Sequence, residues 1–292
     1  MKNFFINTLI FLLVLTGSLL VSWHFIQEDI ILFYTHVPIV AEEFIINYEQ
    51  EQEEAVFDPD AVRMLEAFEW MDYVGVREDM SPIGELILPS IDVSLPIFLG
   101  VGEPNITLGA GTVVADIVMG EGNYVLASHW NPNPGILFGG LDLIQVGDPL
   151  LLRDANYLYV YETIIGDNHI IEPYRWDITE YVEGKTYLTL FTCTPDGFRR
   201  VKVRGELVER VSIAELSELI ERVEAHNSAV EEAERLEALM PAFEAEVIIQ
   251  IVEHIHDSTP SFPIMEVGIA VGVSILLSVA VVLFSSVGFK RR

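Results

Sequence analysis

Two apolar runs, Phe4 to Val21 and Val267 to Phe289, bracket the chain and constrain it more than anything between them. Each is about as long as a helix must be to cross the hydrocarbon of a bilayer, and neither contains a charge. Leaving that much apolar surface in water is costly, and within lipid a helix satisfies its own backbone groups. Both runs are expected to span the membrane. The alternative for the first is a cleaved signal peptide, against which stands the bulky "SWHFIQEDI" that follows it. Lys2 precedes the first run, Glu28 and Asp29 follow it, and Lys290, Arg291 and Arg292 follow the second. Both termini are therefore expected in the cytoplasm, with everything between the spans on the extracellular side of the cell membrane.

That intervening part has to fold without disulfides, because the 292 residues include one cysteine. Its size allows a sufficient core. A net charge of −29 excludes nucleic acid and anionic lipid headgroups as partners, since both would repel such a surface. The expected organisation is an N-terminal anchor (1–23), an acidic helical stalk (24–80), a β-rich domain (81–208), an acidic helical extension (209–263) and a C-terminal span with a basic tail (264–292). In the stalk, Val62, Leu65, Phe68 and Met71 recur at helical spacing and predict a short helix. In the extension, Ser212 and Glu215 form a capping box ahead of the stripe Ile213, Leu216, Ile220 and Val223. Between them, "GELILPS", "VSLPIFL", "NYVLAS", "PLLLR", "YLYVYETII", "TYLTLFTC" and "RVKVRGELV" are short β-type runs separated by Gly, Pro and Asn. Such spacing predicts an all-β barrel or sandwich.

The cysteine ends one of these runs. Side chains alternate along a strand, so Leu188 and Leu190 take one face while Thr189, Phe191 and Cys193 take the other. With the leucines in the core, Cys193 faces outward at a strand end. From the thiol alone, a buried structural role and a chemical role both stay open. In the following run Val201 and Val203 take the core-facing parity, leaving Arg200 on the surface of Cys193 across a Pro195-Asp196-Gly197 hairpin, with Arg199 in the turn. A nucleophilic thiol needs a cation or base nearby, and a guanidinium also stabilises an oxyanion. Of seven histidines, His129 ends the apolar run "NYVLASH" inside the β-rich region, on the same scaffold as Cys193.

"TLFTC" resembles the TLxTC signature of sortases, membrane-anchored cysteine transpeptidases of Gram-positive bacteria, and His129, Cys193 and Arg200 follow the order His, Cys, Arg of that family. "GELILPSIDVSLPIFLGV", "LGAGTVVADIVMGEGNYVLASHWN", "ILFGGLDLIQVGD" and "RVKVRGELV" are similar to successive blocks of class A sortases, and "FDPDAV" to the short helix before their barrel. The resemblance covers roughly Phe57 to Val208. A C-terminal span, by contrast, is typical of the pilus-building class C enzymes. These carry an active-site lid with an Asp-Pro-aromatic motif. Here Asp58-Pro59 is followed by Asp60, so no lid is expected.

The resemblance implies an eight-stranded β-barrel with short helices, here flanked by two membrane helices. It implies Cys193 as nucleophile, His129 as proton carrier and Arg200 as holder of substrate and oxyanion, with Ala127, Thr189, Phe191 and Thr192 lining the substrate groove. The implied partners are secreted proteins with a C-terminal LPXTG-like signal, cleaved between Thr and Gly, and a peptidoglycan-precursor amine. No cofactor and no metal are implied for the reaction itself. Calcium helps some class A enzymes, and Asp167, Glu172 and Glu183 lie in the corresponding loop, Ile165 to Gly184. The alternatives are a pilin polymerase using a lysine acceptor, and a surface scaffold with a structural Cys193.

Overall fold

The computed structural model describes residues 2–35, 55–64, 69–165, 169–173 and 175–216. The run Val267–Phe289 and most of the acidic extension lie outside them. The chain divides into two units, 1–33 with 260–292, and 34–259.

In the first unit, helix α1 covers Lys2–Thr35, and its stretch Phe4–Trp23 is long and apolar enough to cross a membrane. The helix continues beyond residue 23, where the stalk was expected to begin. At 1.5 Å per residue its 34 residues are about 51 Å long, more than a hydrocarbon core of about 30 Å requires.

Among the described residues the second unit holds nine strands: β1 (Gly84–Leu88), β2 (Val93–Phe98), β3 (Ala110–Thr112), β4 (Asn123–Ala127), β5 (Pro149–Arg153), β6 (Tyr157–Ile165), β7 (Ile170–Ile171), β8 (Tyr187–Cys193) and β9 (Arg200–Ser212). Neighbours run β6-β5-β1-β2-β3-β4-β8-β9, and β9 pairs back onto β6, closing eight strands into a barrel. Closure leaves no open edge among those eight. The short β7 joins the β6 side of β9. The β-type runs of the sequence are thus strands, and the sandwich alternative is excluded. Two register shifts interrupt the β6–β9 pairing, at Val160/Tyr161 and Thr163/Ile165, the kind of irregularity that lets a long strand pair bend. Helix α2 (Met71–Val74) precedes the barrel, and α3 (Glu103–Leu108) links β2 to β3.

Two expectations are corrected. Of the helix predicted through Val62, Leu65, Phe68 and Met71, Leu65 and Phe68 lie outside the described residues; among the described ones Pro59–Ala61 is a single 3-10 turn, 62–64 is irregular, and Met71–Val74 is helical. Of the two described residues of that spacing, Val62 is fully buried and Met71 is 48% exposed, so they do not share one buried face. The barrel does not end at Val208 either. β9 runs to Ser212, because residues 206–212 complete the pairing with β6, and helical backbone starts at Ile213.

Both faces of β8 are buried. Leu188 and Leu190 share one face, while Phe191 on the other packs with Val125, Ala127, Ile106 and Val113. Leu190→Ala should lower the unfolding free energy of the full chain by about 2–5 kcal/mol, as cavities in tight cores do. Denaturant unfolding in detergent micelles, followed by tryptophan fluorescence, checks this.

Candidate active site

Three neighbouring strands bring their ends together. β4 and β8 run parallel with Ala127 opposite Phe191. β8 and β9 are antiparallel and pair Cys193 with Arg200. His129 lies two residues beyond β4, Cys193 is the last residue of β8, and Arg200 is the first of β9. Imidazole, thiol and guanidinium therefore arise at the same end of adjacent strands.

Local hydrogen bonds fix each one. The turn between β8 and β9 is closed by Thr194 N–H to Arg199 carbonyl (2.9 Å) and Gly197 N–H to Thr194 carbonyl (2.8 Å). Gly197 adopts φ +76°, a conformation that favours glycine. Asp196 accepts from the Thr194 hydroxyl and the Phe198 amide, and those bonds hold its carboxyl below the usual range. The His129 amide donates to the Ile106 carbonyl of α3 (3.2 Å), and its carbonyl accepts from Phe138 (3.1 Å). The Thr192 hydroxyl donates to the Ser128 carbonyl (2.8 Å), tying the end of β8 to the residue before His129.

A strap formed by residues 55–64 crosses this end of the barrel. It begins where the Val101 amide donates to the Val56 carbonyl at 2.7 Å. Gly100 permits that approach, since a Cβ there would meet the Val56 oxygen at 2.8 Å. Val62 is fully buried among Val101, Ile106, Val113, Ala127, Ile178 and Phe191. Its carbonyl accepts from Arg200 Nη2 at 2.7 Å and weakly from the Cys193 thiol at 3.9 Å. The next carbonyl, of Arg63, accepts from His129 Nδ1 at 2.9 Å. One dipeptide backbone thus engages all three side chains.

The Arg63 side chain secures the strap, with Nε 2.9 Å from Glu103 Oε1 and the guanidinium paired with Glu69. Glu103 Oε2 lies 3.1 Å from His129 Nε2. Both ring nitrogens of His129 therefore face acceptors, Nδ1 a carbonyl and Nε2 a carboxylate. Burial pushes the Cys193 thiol above its ordinary range, while the Arg200 charge acts in the opposite direction with a smaller effect. Under the strap the sulfur is held as thiol.

The expected trio is brought together, with two corrections. Cys193 does not face solvent; it is 1% exposed, because its side of β8 is covered. The expectation of no lid fails as well, since the segment carrying Asp58-Pro59 leads directly into the residues over the site. Of the expected groove residues, Ala127 and Phe191 line the apolar pocket filled by Val62. Thr189 and Thr192 are fully buried elsewhere. The Thr189 hydroxyl accepts from Arg204 Nε (2.8 Å) and donates to Asn123 Oδ1 (2.7 Å), while Thr192 makes the tie to Ser128. Val62, Arg63 and Glu103 were missed. Glu103 is one of 45 acidic residues and lies 26 positions from His129, so no local pattern marks it. Of the loop carboxylates, Asp167 lies outside the described residues, and Glu172 and Glu183 are exposed. Among the described residues no group of three or more His, Cys, Asp or Glu side chains is arranged to hold a metal ion.

A parallel strand pair thus delivers His129 and Cys193 side by side, with Arg200 opposite the Cys, an arrangement that cysteine-dependent acyl transfer could use. Comparison with known proteins bears on the family. Residues 86–208 match the family described as Sortase domain. Sortase A of Bacillus anthracis is 36% identical over 128 residues, 43% of this chain and 60% of that protein. The Bacillus subtilis protein YwpE, whose name groups it with the sortases, is 37% identical over 98 residues, 32% of this chain and 91% of its own length. The crystal structure of Listeria monocytogenes sortase A is 30% identical, covering 45% of this chain and 90% of that one, with a TM-score of 0.43. The chain belongs to the sortase family. It spans less than two thirds of the length of the Bacillus anthracis relative.

Alkylation of Cys193 reads the strap directly. A raised thiol pKa means less thiolate at neutral pH, so iodoacetamide should react slowly with the wild-type chain and its rate should inflect above the ordinary thiol range. Arg63→Ala removes the pairs with Glu103 and Glu69. It should move the inflection to lower pH and speed alkylation at pH 7 by about tenfold, the effect of one pKa unit. Equal rates would show that the strap does not bury the sulfur.

Proposed function

We propose that this protein is a membrane-anchored sortase-type cysteine transpeptidase, with residues 81–212 as its catalytic domain. The supporting observation is the convergence of Cys193, His129 and Arg200 on the two consecutive carbonyls of Val62 and Arg63. The substrate class is a secreted protein with an LPXTG-like sorting signal, and the acceptor is a peptidoglycan-precursor amine. With the strap displaced, the Cys193 thiolate attacks the Thr carbonyl carbon, and Arg200 stabilises the oxyanion with its fork of donors. The Thr–Gly C–N bond breaks as His129 gives its proton to the departing amine, leaving a thioester on Cys193. The acceptor amine then attacks the thioester, gives a proton to His129, and releases the thiolate as the new amide forms. Ala127 and Phe191 act as groove walls for an apolar side chain of the signal, in the pocket that Val62 fills. Thr189 and Thr192 lie outside that pocket and act on it through the bonds to Asn123, Arg204 and Ser128 that hold the neighbouring strands in place.

Two spans, Phe4–Val21 and Val267–Phe289, hold the catalytic domain outside the cell membrane, with both termini in the cytoplasm. Residues 24–80 act as stalk and strap, 213–263 as an acidic helical return to the bilayer, and 264–292 as the second span with its basic tail. One observation favours a second choice of acceptor. The segment with Asp58-Pro59 leads across the site, as the lid of pilus-building relatives does, and in those enzymes a lysine side chain takes the place of the cell-wall amine.

Mass spectrometry of the full chain in detergent, given an LPXTG-type peptide and either a glycyl or a lysyl amine, tests both. Cleavage at Thr-Gly with transfer to amine is expected. Cys193→Ala should abolish it, and Arg200→Ala should reduce kcat/KM by about 10²–10³, the usual loss for an oxyanion donor. Undiminished transfer by Cys193→Ala would overturn the proposal, and exclusive use of the lysyl amine would select the pilin-type acceptor.

A further inference from the structure

Between His129 and Arg63 sits a carboxylate that the transpeptidase chemistry leaves unused. Glu103 begins α3, whose Ile106 carbonyl binds the His129 amide, so one short helix fixes both the backbone and the ring of His129. Its oxygens are divided, Oε2 at 3.1 Å from His129 Nε2 and Oε1 at 2.9 Å from Arg63 Nε. His129 is fully buried, whereas Glu103 keeps 24% of its side chain exposed and Arg63 keeps 45%. A carboxylate only accepts, so Nε2 must carry hydrogen. The nitrogen left to exchange protons is Nδ1, the one now turned to the Arg63 carbonyl of the strap.

We propose that Glu103 is the positioning residue for His129, accepting its Nε2–H so that Nδ1 is the nitrogen presented to the reacting groups, and that Arg63 shares this carboxylate only while the strap is closed. This rests on the transpeptidase reading of Cys193 and His129. When the strap leaves, Glu103 loses Arg63 and its full charge faces the imidazolium that forms as the thiol or the acceptor amine gives up its proton. Ring orientation, proton placement and strap closure are thereby coupled through one side chain. Glu103 itself neither gains nor loses a proton in the cycle.

The test uses the full chain with histidine labelled by 15N, His129 being assigned from the spectrum of His129→Gln. In wild type and in Arg63→Ala, raising the pH should remove the proton from Nδ1 and leave Nε2 protonated. In Glu103→Ala the neutral ring should lose that preference, and kcat/KM should fall by about 10–100-fold, by analogy with the loss when a metal-bound histidine is deprived of its orienting carboxylate. Glu103→Asp should restore part of both, which a merely structural role would not predict for the ring proton. A wild-type neutral ring carrying its proton on Nδ1 would overturn the proposal. So would Glu103→Ala with activity within twofold of wild type. Should Glu103→Ala fail to fold, the wild-type and Arg63→Ala spectra decide alone. Cys193→Ala separates the two failures. If it is inactive while Glu103→Ala is unimpaired, only the role of Glu103 falls; if it is active, the transpeptidase reading falls with it.

Discussion

The parallel pairing of β4 with β8 is the constraint from which the site follows. Parallel neighbours end at the same side of a sheet, so the residue that closes one strand lies beside the residue that closes the other. Tyr124 opposite Leu188 and Ala127 opposite Phe191 set that register, and the Thr192 bond to the Ser128 carbonyl locks its last step. A slip by one residue would turn Cys193 to the other face and send its partner side chains into the barrel. The antiparallel β8–β9 hairpin then adds the cation directly across from the thiol. Chain segments 64 residues apart, His129 and Cys193, are in this way made neighbours by backbone geometry rather than by side-chain attraction.

Burial decides the state in which these groups rest. A thiol held 1% exposed, with its anion disfavoured, is a poor nucleophile even with a guanidinium close by. The strap produces that burial with few contacts: an apolar side chain in an apolar pocket, two carbonyls on three donors, and an arginine on two carboxylates. The ion pairs on the Arg63 side are partly solvent-screened, so each contributes modestly to holding the strap in place.

Much of this is legible in the chain. The alternation in "TYLTLFTC" and "RVKVRGELV" predicts which residues share a face, and the register of β8 with β9 bears out Cys193 opposite Arg200. Strand alternation assumes that one face is wet, however. Here the second face of β8 is roofed by α3, by the 3-10 turn Trp176–Thr179 and by the strap, through Ile106, Ile178 and Val62. Nothing local announces a roof. For the same reason Val62 and Met71 fit a helical period although Val62 is buried under the roof and Met71 is 48% exposed. Glu103 was invisible because its meaning is tertiary, a carboxylate whose two partners come from a strap before the barrel and a loop after β4.

Gly100 and Gly197, at opposite ends of the strap, admit its backbone and the Met64 side chain at distances no Cβ would allow. A segment so accommodated is a ligand tied to its own receptor. Tethering over a short span corresponds to a local concentration on the order of millimolar. In the transpeptidase reading proposed above, dilute peptide would have to outcompete that tethered occupant, whereas a substrate confined to the same membrane surface would itself be locally concentrated. On that reading a seated strap would act as a threshold, favouring cargo delivered along the bilayer over peptide arriving from solution.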